Sequence, residues 1–173
     1  MLGDIRVISE MNISKALQNG AKLAVFTRNH KRHLDEALGV SSAEPARLIP
    51  FRGTKRWKSA AQALQQHSPI DIYFAVVDSG SFVQYAAKLQ RVIVDPHRAQ
   101  PETQQLLKLS TSTTRDEGLW EDTGKPAGTL YAINRLERVS EPFPMTELIK
   151  VSDDQPISPD YGYSYALIYA RSL

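Results

Sequence analysis

"IDIYFAVVDSGSFVQYAAKLQRVIVDP", residues 70–96, is the clearest β signal in the chain. Two runs rich in β-branched and aromatic residues are joined by a Ser-Gly turn, the pattern of an antiparallel hairpin. In the second arm Val83, Tyr85, Ala87 and Leu89 alternate with Gln84, Ala86, Lys88 and Gln90. A period of two predicts one buried face and one largely polar face, with burial setting the register.

Upstream of the hairpin, short strands and helices alternate. "DIRVIS" (4–9) reads as a strand, "SKALQNG" (14–20) as a helix capped by Ser14 and Gly20, and "KLAVFT" (22–27) as a strand. "NHKRHLDEALG" (29–39) reads as a helix bracketed by Asn29 and Gly39, with Leu34, Ala37 and Leu38 inward. "ARLIPF" (46–51) is a strand whose Pro50 suits a sheet edge or a strand end. From Thr54, as N-cap, Trp57, Ala60, Ala61 and Leu64 recur at helical spacing, and this helix is expected to end at His67 or Ser68, before Pro69.

Downstream, "PETQQLLKL" (101–109) predicts a short helix, followed by a long polar connection, residues 110–128, that contains Trp120. "TLYAINRLERV" (129–139) returns to strand, "PMTELIKV" (144–151) is a short helix begun by Pro144, and "YGYSYALIYARSL" (161–173) closes as a strand. This order predicts an α+β fold, a curved mixed sheet flanked by helices, as one domain over residues 1–173.

Composition narrows the chemistry. The absence of cysteine removes disulfides, thiolate metal sites and cysteine nucleophiles. No apolar run approaches the length of a membrane span and the first residues lack the layout of a secretion signal, so the cytoplasm is the expected compartment. Residues 1–68 carry 11 Lys and Arg against 5 Asp and Glu, whereas residues 69–173 carry 10 against 14. That asymmetry points to a basic face for an anionic partner, or to a lopsided solvated surface.

Searches for reactive constellations return little. His30 and His33 lie one helical turn apart, but no nearby carboxylate or third histidine completes a metal set, and no metal or cofactor is expected. No Asp or Glu is followed two residues later by Lys, as common restriction-type nuclease chemistry needs. "GLWEDTGKP" (118–126) has five residues between its glycines and Pro126 where a phosphate loop needs Ser or Thr. No dinucleotide fingerprint or nucleophile elbow is present, and no catalytic residue is assigned.

Binding residues are better represented. "IPFRGTKRWKSAAQ" (49–62) places Arg52, Lys55, Arg56 and Lys58 around Trp57 at an expected helix start, where free N–H groups favour phosphate. Arg28, Lys31 and Arg32 extend this basic set. Stacking of a base requires aromatic rings, for which Trp57, Trp120, Tyr73 and the cluster Tyr161, Tyr163 and Tyr165 are candidates. Trp57 has two open readings, core packing and pocket wall.

"DIYFAVVDSGSFVQYAAKLQRVIVDP" (71–96) followed by "TLYAINRLERVSEPFPMTEL" (129–148) resembles the PUA-like superfamily, which includes the EVE, ASCH, YTH and SRA domains. The resemblance covers roughly residues 69–150 and implies a small barrel-like sheet with helices packed outside. It also implies binding of DNA or RNA, often with one modified base enclosed by aromatic side chains, as in specificity modules of modification-dependent restriction systems that act with a nuclease or other effector. By position it places Phe26 and Trp57 in the cage region and Trp120 as a lid. Other members imply the alternatives, an RNA-binding module of ASCH type or a small hydrolase of modified nucleosides.

Overall fold

The computed structural model describes residues 12–77, 80–116, 128–161 and 165–173. Residues 12–18 form helix α1, and Gly20 follows it with φ 76°, a left-handed conformation natural to glycine past a helix end. Next come β1 (Leu23–Asn29), α2 (Lys31–Ala43), β2 (Ile49–Gly53) and α3 (Lys58–Gln66). The hairpin strands are β3 (Ile70–Val76) and β4 (Phe82–Val94), followed by α4 (Pro101–Leu107) and α5 (Ser112–Asp116). The long β5 (Thr129–Pro144), a 3-10 turn at Met145–Glu147 and β6 (Tyr165–Tyr169) complete the described chain. The expected strand at 4–9 lies outside the described residues.

The strands form one mixed sheet in the order β2-β5-β4-β3-β1-β6. Among the described residues only β1 and β3 pair in parallel; the other neighbours are antiparallel. Pro50 sits on the edge strand β2, where a missing N–H is tolerated. The α+β sheet flanked by helices is therefore the observed architecture. No helix among the described residues is long and apolar enough to cross a membrane.

Both faces of the sheet are buried. Leu23 and Val25 of β1, Ile72 and Phe74 of β3, and Tyr131 and Ile133 of β5 join the main core with residues of α2 and α3. The alternate residues, including Ala24, Phe26, Tyr73 and Ala75, pack with Phe143, Met145 and Leu148 in a second cluster. Strand alternation thus sends successive side chains into different cores.

Three sequence expectations are corrected here. First, the alternation in β4 breaks. Val83 packs in the second cluster whereas Tyr85, Ala87 and Leu89 pack in the first, because pairing shifts between Val83 and Tyr85. Opposite β3, Val83 pairs with Ala75 and Tyr85 with Phe74, so β4 carries one extra residue there and the rest of the strand is turned over. Second, α2 does not stop at Gly39 but continues to Ala43, where buried Ser41 accepts a 3.1 Å hydrogen bond from the Leu136 N–H. Packing against β5 outweighs the modest helix cost of one glycine.

Third, α3 begins at Lys58 rather than after Thr54, with Trp57 as its N-cap residue. The backbone before it is engaged elsewhere. The Thr129 hydroxyl donates to the Lys55 carbonyl at 2.7 Å and accepts from the Trp57 N–H at 2.9 Å. The expected end of α3 agrees with the structure, which places its last residue at Gln66 and His67 in extended backbone.

Candidate nucleic-acid interface

Segment 53–57 is held by the start of β5. Gly128 donates its N–H to the Gly53 carbonyl at 3.0 Å, and a Cβ on Gly128 would lie 2.6 Å from the Lys55 carbonyl carbon. Only glycine admits this approach, and with buried Thr129 it fixes the path of the loop. Trp57 is consequently driven inward, 1% exposed.

Its indole is the middle ring of a stack. Tyr131 of β5 lies 4.2 Å away at 21° and Tyr165 of β6 lies 4.9 Å away at 19°. Phe51 then meets Tyr131 at 5.8 Å and Phe74 at 6.3 Å, continuing the aromatic packing from edge strand β2 to β3. Trp57 therefore links strands distant in the sheet order, and the space between the two tyrosines is filled by the protein's own ring. Its Nε1 is buried and has no hydrogen-bond partner among the described residues.

Burial pushes the Tyr131 phenol well above its ordinary range, and its hydroxyl accepts a long contact from Asn29 Nδ2 at 3.5 Å. Burial also raises Tyr165, although a 3.0 Å hydrogen bond with the Ser59 hydroxyl works the other way. Both tyrosines stay neutral at physiological pH. The stack is therefore an uncharged aromatic body.

The cations lie outside it. Lys55 and Arg56 are exposed on the loop before α3, with Arg56 paired to Asp95, while Arg52 and Lys58 are half-buried. Lys31 and Arg32 are exposed on the first turn of α2, Lys31 paired to Asp35. Arg28, half-buried near the end of β1, contacts Met145 Sδ at 3.3 Å. Because Thr54 is not a cap, Lys55 and Arg56 flank the loop instead of the first helical turn.

The expected base-pocket residues do not all converge. Phe26 and Tyr73 are fully buried in the second cluster, on the sheet face opposite Trp57, as alternation along β1 and β3 requires. The Tyr73 hydroxyl is engaged with the Arg171 backbone, donating at 2.9 Å and accepting at 3.0 Å. Trp120 and Tyr163 lie outside the described residues. Tyr161 and Tyr165 instead line a cavity of about 160 Å³ beside the stack, together with Ser59, Asn12 and Lys150.

Helix α5 is fastened to α2 by Glu36, which accepts from the backbone N–H groups of Ser112 and Thr113, each at 2.9 Å, and from the Ser112 hydroxyl. Burial opposes ionisation of Glu36, but these bonds outweigh it and bring its pKa down to about 2. His33 contacts the Thr113 hydroxyl at 2.9 Å through Nδ1. Among the described residues no group of three His, Asp or Glu is arranged to hold a metal.

Several of these groups escaped sequence reading. Tyr131 carried the inward signal of strand alternation, but nothing local marked its stacking on Trp57. Glu36 looked like solvated helix surface, and Gly128 and Thr129 sit where the polar connection gives way to the expected strand.

No protein-family model matches the chain, and no curated protein matches it. Among solved structures, the N-terminal domain of Staphylothermus marinus McrB is similar over 72% of this chain and 77% of that one, with 11% sequence identity and a TM-score of 0.35.

Proposed function

We propose that this protein is a nucleic-acid-binding module that reads a modified base in DNA or RNA. The observation that supports this reading is the adjacency of a cationic loop to an aromatic cavity. Lys55, Arg56 and Lys58 lead directly into Ser59, which lines the cavity with Tyr161 and Tyr165. Cations position a phosphate backbone without reading sequence, whereas an aromatic cavity with hydroxyl groups discriminates a base by stacking and edge hydrogen bonds.

In this reading Arg28, Lys31, Arg32 and Arg52 extend the phosphate contacts along the neighbouring elements. Tyr165 stacks on the base, with Trp57 backing it from the core side, and Trp120 supplies a further ring. Phe26 and Tyr73 support the sheet from the other face. The biological setting that suits such a module is the specificity element of a modification-dependent restriction system, partnered by a nuclease.

The test is fluorescence anisotropy with modified and unmodified oligonucleotides, single- and double-stranded, across a salt series. The expected result is salt-dependent binding with preference for one modification, and loss of that preference in Tyr161→Ala. Absence of binding to every oligonucleotide at low salt would refute the reading.

A further inference from the structure

A second opening lies at the other end of β1 and α2. It is an open cleft of about 750 Å³ lined by Lys22, Lys88, Arg135 and Arg171, with Asp71 and Glu137. Lys22 precedes β1 and Arg28 lies near its end; Ser41 and Pro45, also at the cleft, mark the far end of α2 from Lys31. A strand of seven residues separates the two regions by roughly 20 Å.

The cleft floor is low because it is built from small residues. Ala86 and Ala87 lie in β4, where pairing with β5 shifts between Ala86 and Lys88, and Ala170 follows β6. Arg135 stands on the rim in the left-handed conformation, φ 53°, its N–H donating to the Pro45 carbonyl at 3.0 Å. A non-glycine residue in that region is held there by its surroundings. The side chain of Arg135 is exposed.

The cations divide into two kinds. Lys88 is paired with Asp71, and Arg171 is paired with Glu147 while lying 4.0 Å over the Phe143 ring. Lys22 and Arg135 make no ion pair among the described residues. Glu137 likewise makes no ion pair among the described residues, so the lining side chains carry four cations against two carboxylates above a floor of small side chains, a shallow and net cationic track rather than an enclosed small-molecule pocket. An extended polyanion whose backbone lies close to the sheet suits that shape, and the guanidinium fork of Arg135 suits phosphate oxygens.

We infer that this cleft is a second anion-binding surface and takes the phosphodiester backbone of the same nucleic acid that the proposed interface holds. The inference rests on that proposed function. Contacts at both ends of β1 and α2 make oligonucleotide length a determinant of affinity, since a short oligonucleotide held at the first region does not reach the second.

The test compares labelled single-stranded oligonucleotides of about 4 and about 12 nucleotides, because at about 3.4 Å per nucleotide along a stacked strand the shorter spans less than the roughly 20 Å separation and the longer about twice it. The variant is Lys22→Gln with Arg135→Asn, since asparagine tolerates the left-handed conformation. Circular dichroism checks that the variant is folded. The expected result is about a three- to tenfold loss of affinity for the longer oligonucleotide, unchanged affinity for the shorter one, and a salt slope smaller by about 0.7 per lost contact.

A folded variant with unaltered affinity and slope for the longer oligonucleotide, while wild-type protein binds it, overturns the cleft but leaves the proposed interface intact. Wild-type protein that binds neither length overturns both. Equal losses for the two lengths also overturn the inference, because they show a general electrostatic effect. Lys55→Gln with Arg56→Gln is the comparison, expected to weaken both lengths.

Discussion

Trp57 stacks on Tyr131 with ring centroids 4.2 Å apart and planes 21° from parallel, joining the start of α3 to the sheet. Tyr165 covers the other side of the indole, so removing it leaves a void between two large rings. Trp57→Ala is expected to cost about 3–5 kcal/mol of stability. Trp57→Phe keeps a stacking ring and discards an unpartnered buried N–H, and its cost is expected to stay within about 1–2 kcal/mol. Urea unfolding of the two variants checks both values; equal losses would contradict the proposed importance of the stack.

Two glycines predict opposite outcomes. At Gly39, exposed within α2, a Cβ meets nothing within 4 Å, and Gly39→Ala is expected to stabilise by about 0.5–1 kcal/mol. At Gly128 a Cβ would meet the Lys55 and Thr54 backbone at 2.6–2.8 Å, so Gly128→Ala must displace the 53–57 loop. A loss of roughly 1–3 kcal/mol is expected. Thermal unfolding midpoints moving in opposite directions are the readout.

Glu36 predicts an acid-sensitive contact. Its folded pKa, about 2, lies below the ordinary 4.5, so its contribution is present above about pH 4.5 and fades as pH falls toward 2. Glu36→Gln is expected to flatten stability across that window and, at pH 7, to loosen the α2–α5 contact at a cost of about 1–2 kcal/mol. Chemical denaturation between pH 2.5 and 7 compares the two proteins. Parallel stability curves would count against this assignment.

Arg56 and Asp95 form an exposed pair, with side chains 53% and 56% accessible. Such a pair contributes little to folding, so Arg56→Gln is expected to change stability by less than about 0.5 kcal/mol. Under the proposed function the same change weakens oligonucleotide binding and lowers its salt slope by about 0.7–0.9. Unfolding and binding measured on one preparation separate the two effects.

Local patterns determined much of this protein. Two adjacent apolar runs marked the β3–β4 pair, whose expected Ser-Gly turn lies partly outside the described residues, Pro50 marked an edge strand, and Pro69 bounded α3, because strand period, missing N–H groups and helix breakers act within a few residues. The cationic stretch around Trp57 was equally legible. Its side-chain directions were only partly so: helical spacing sent Trp57 inward, yet Trp57 stands just outside the helix and is buried through tertiary packing.

Tertiary structure alone decided which partner each inward residue meets. The Trp57 N–H finds Thr129, 72 residues away, and that contact delays the start of α3. A bulge after Val83 sends it to a different core from Tyr85, although simple alternation assigns them the same face. The same strand geometry parts Phe26 and Tyr73 from Trp57 and brings Tyr165 to it. Periodicity records whether a side chain is buried; the path of the folded chain determines which core receives it, because contacts between distant segments depend on backbone pairing that no single segment encodes.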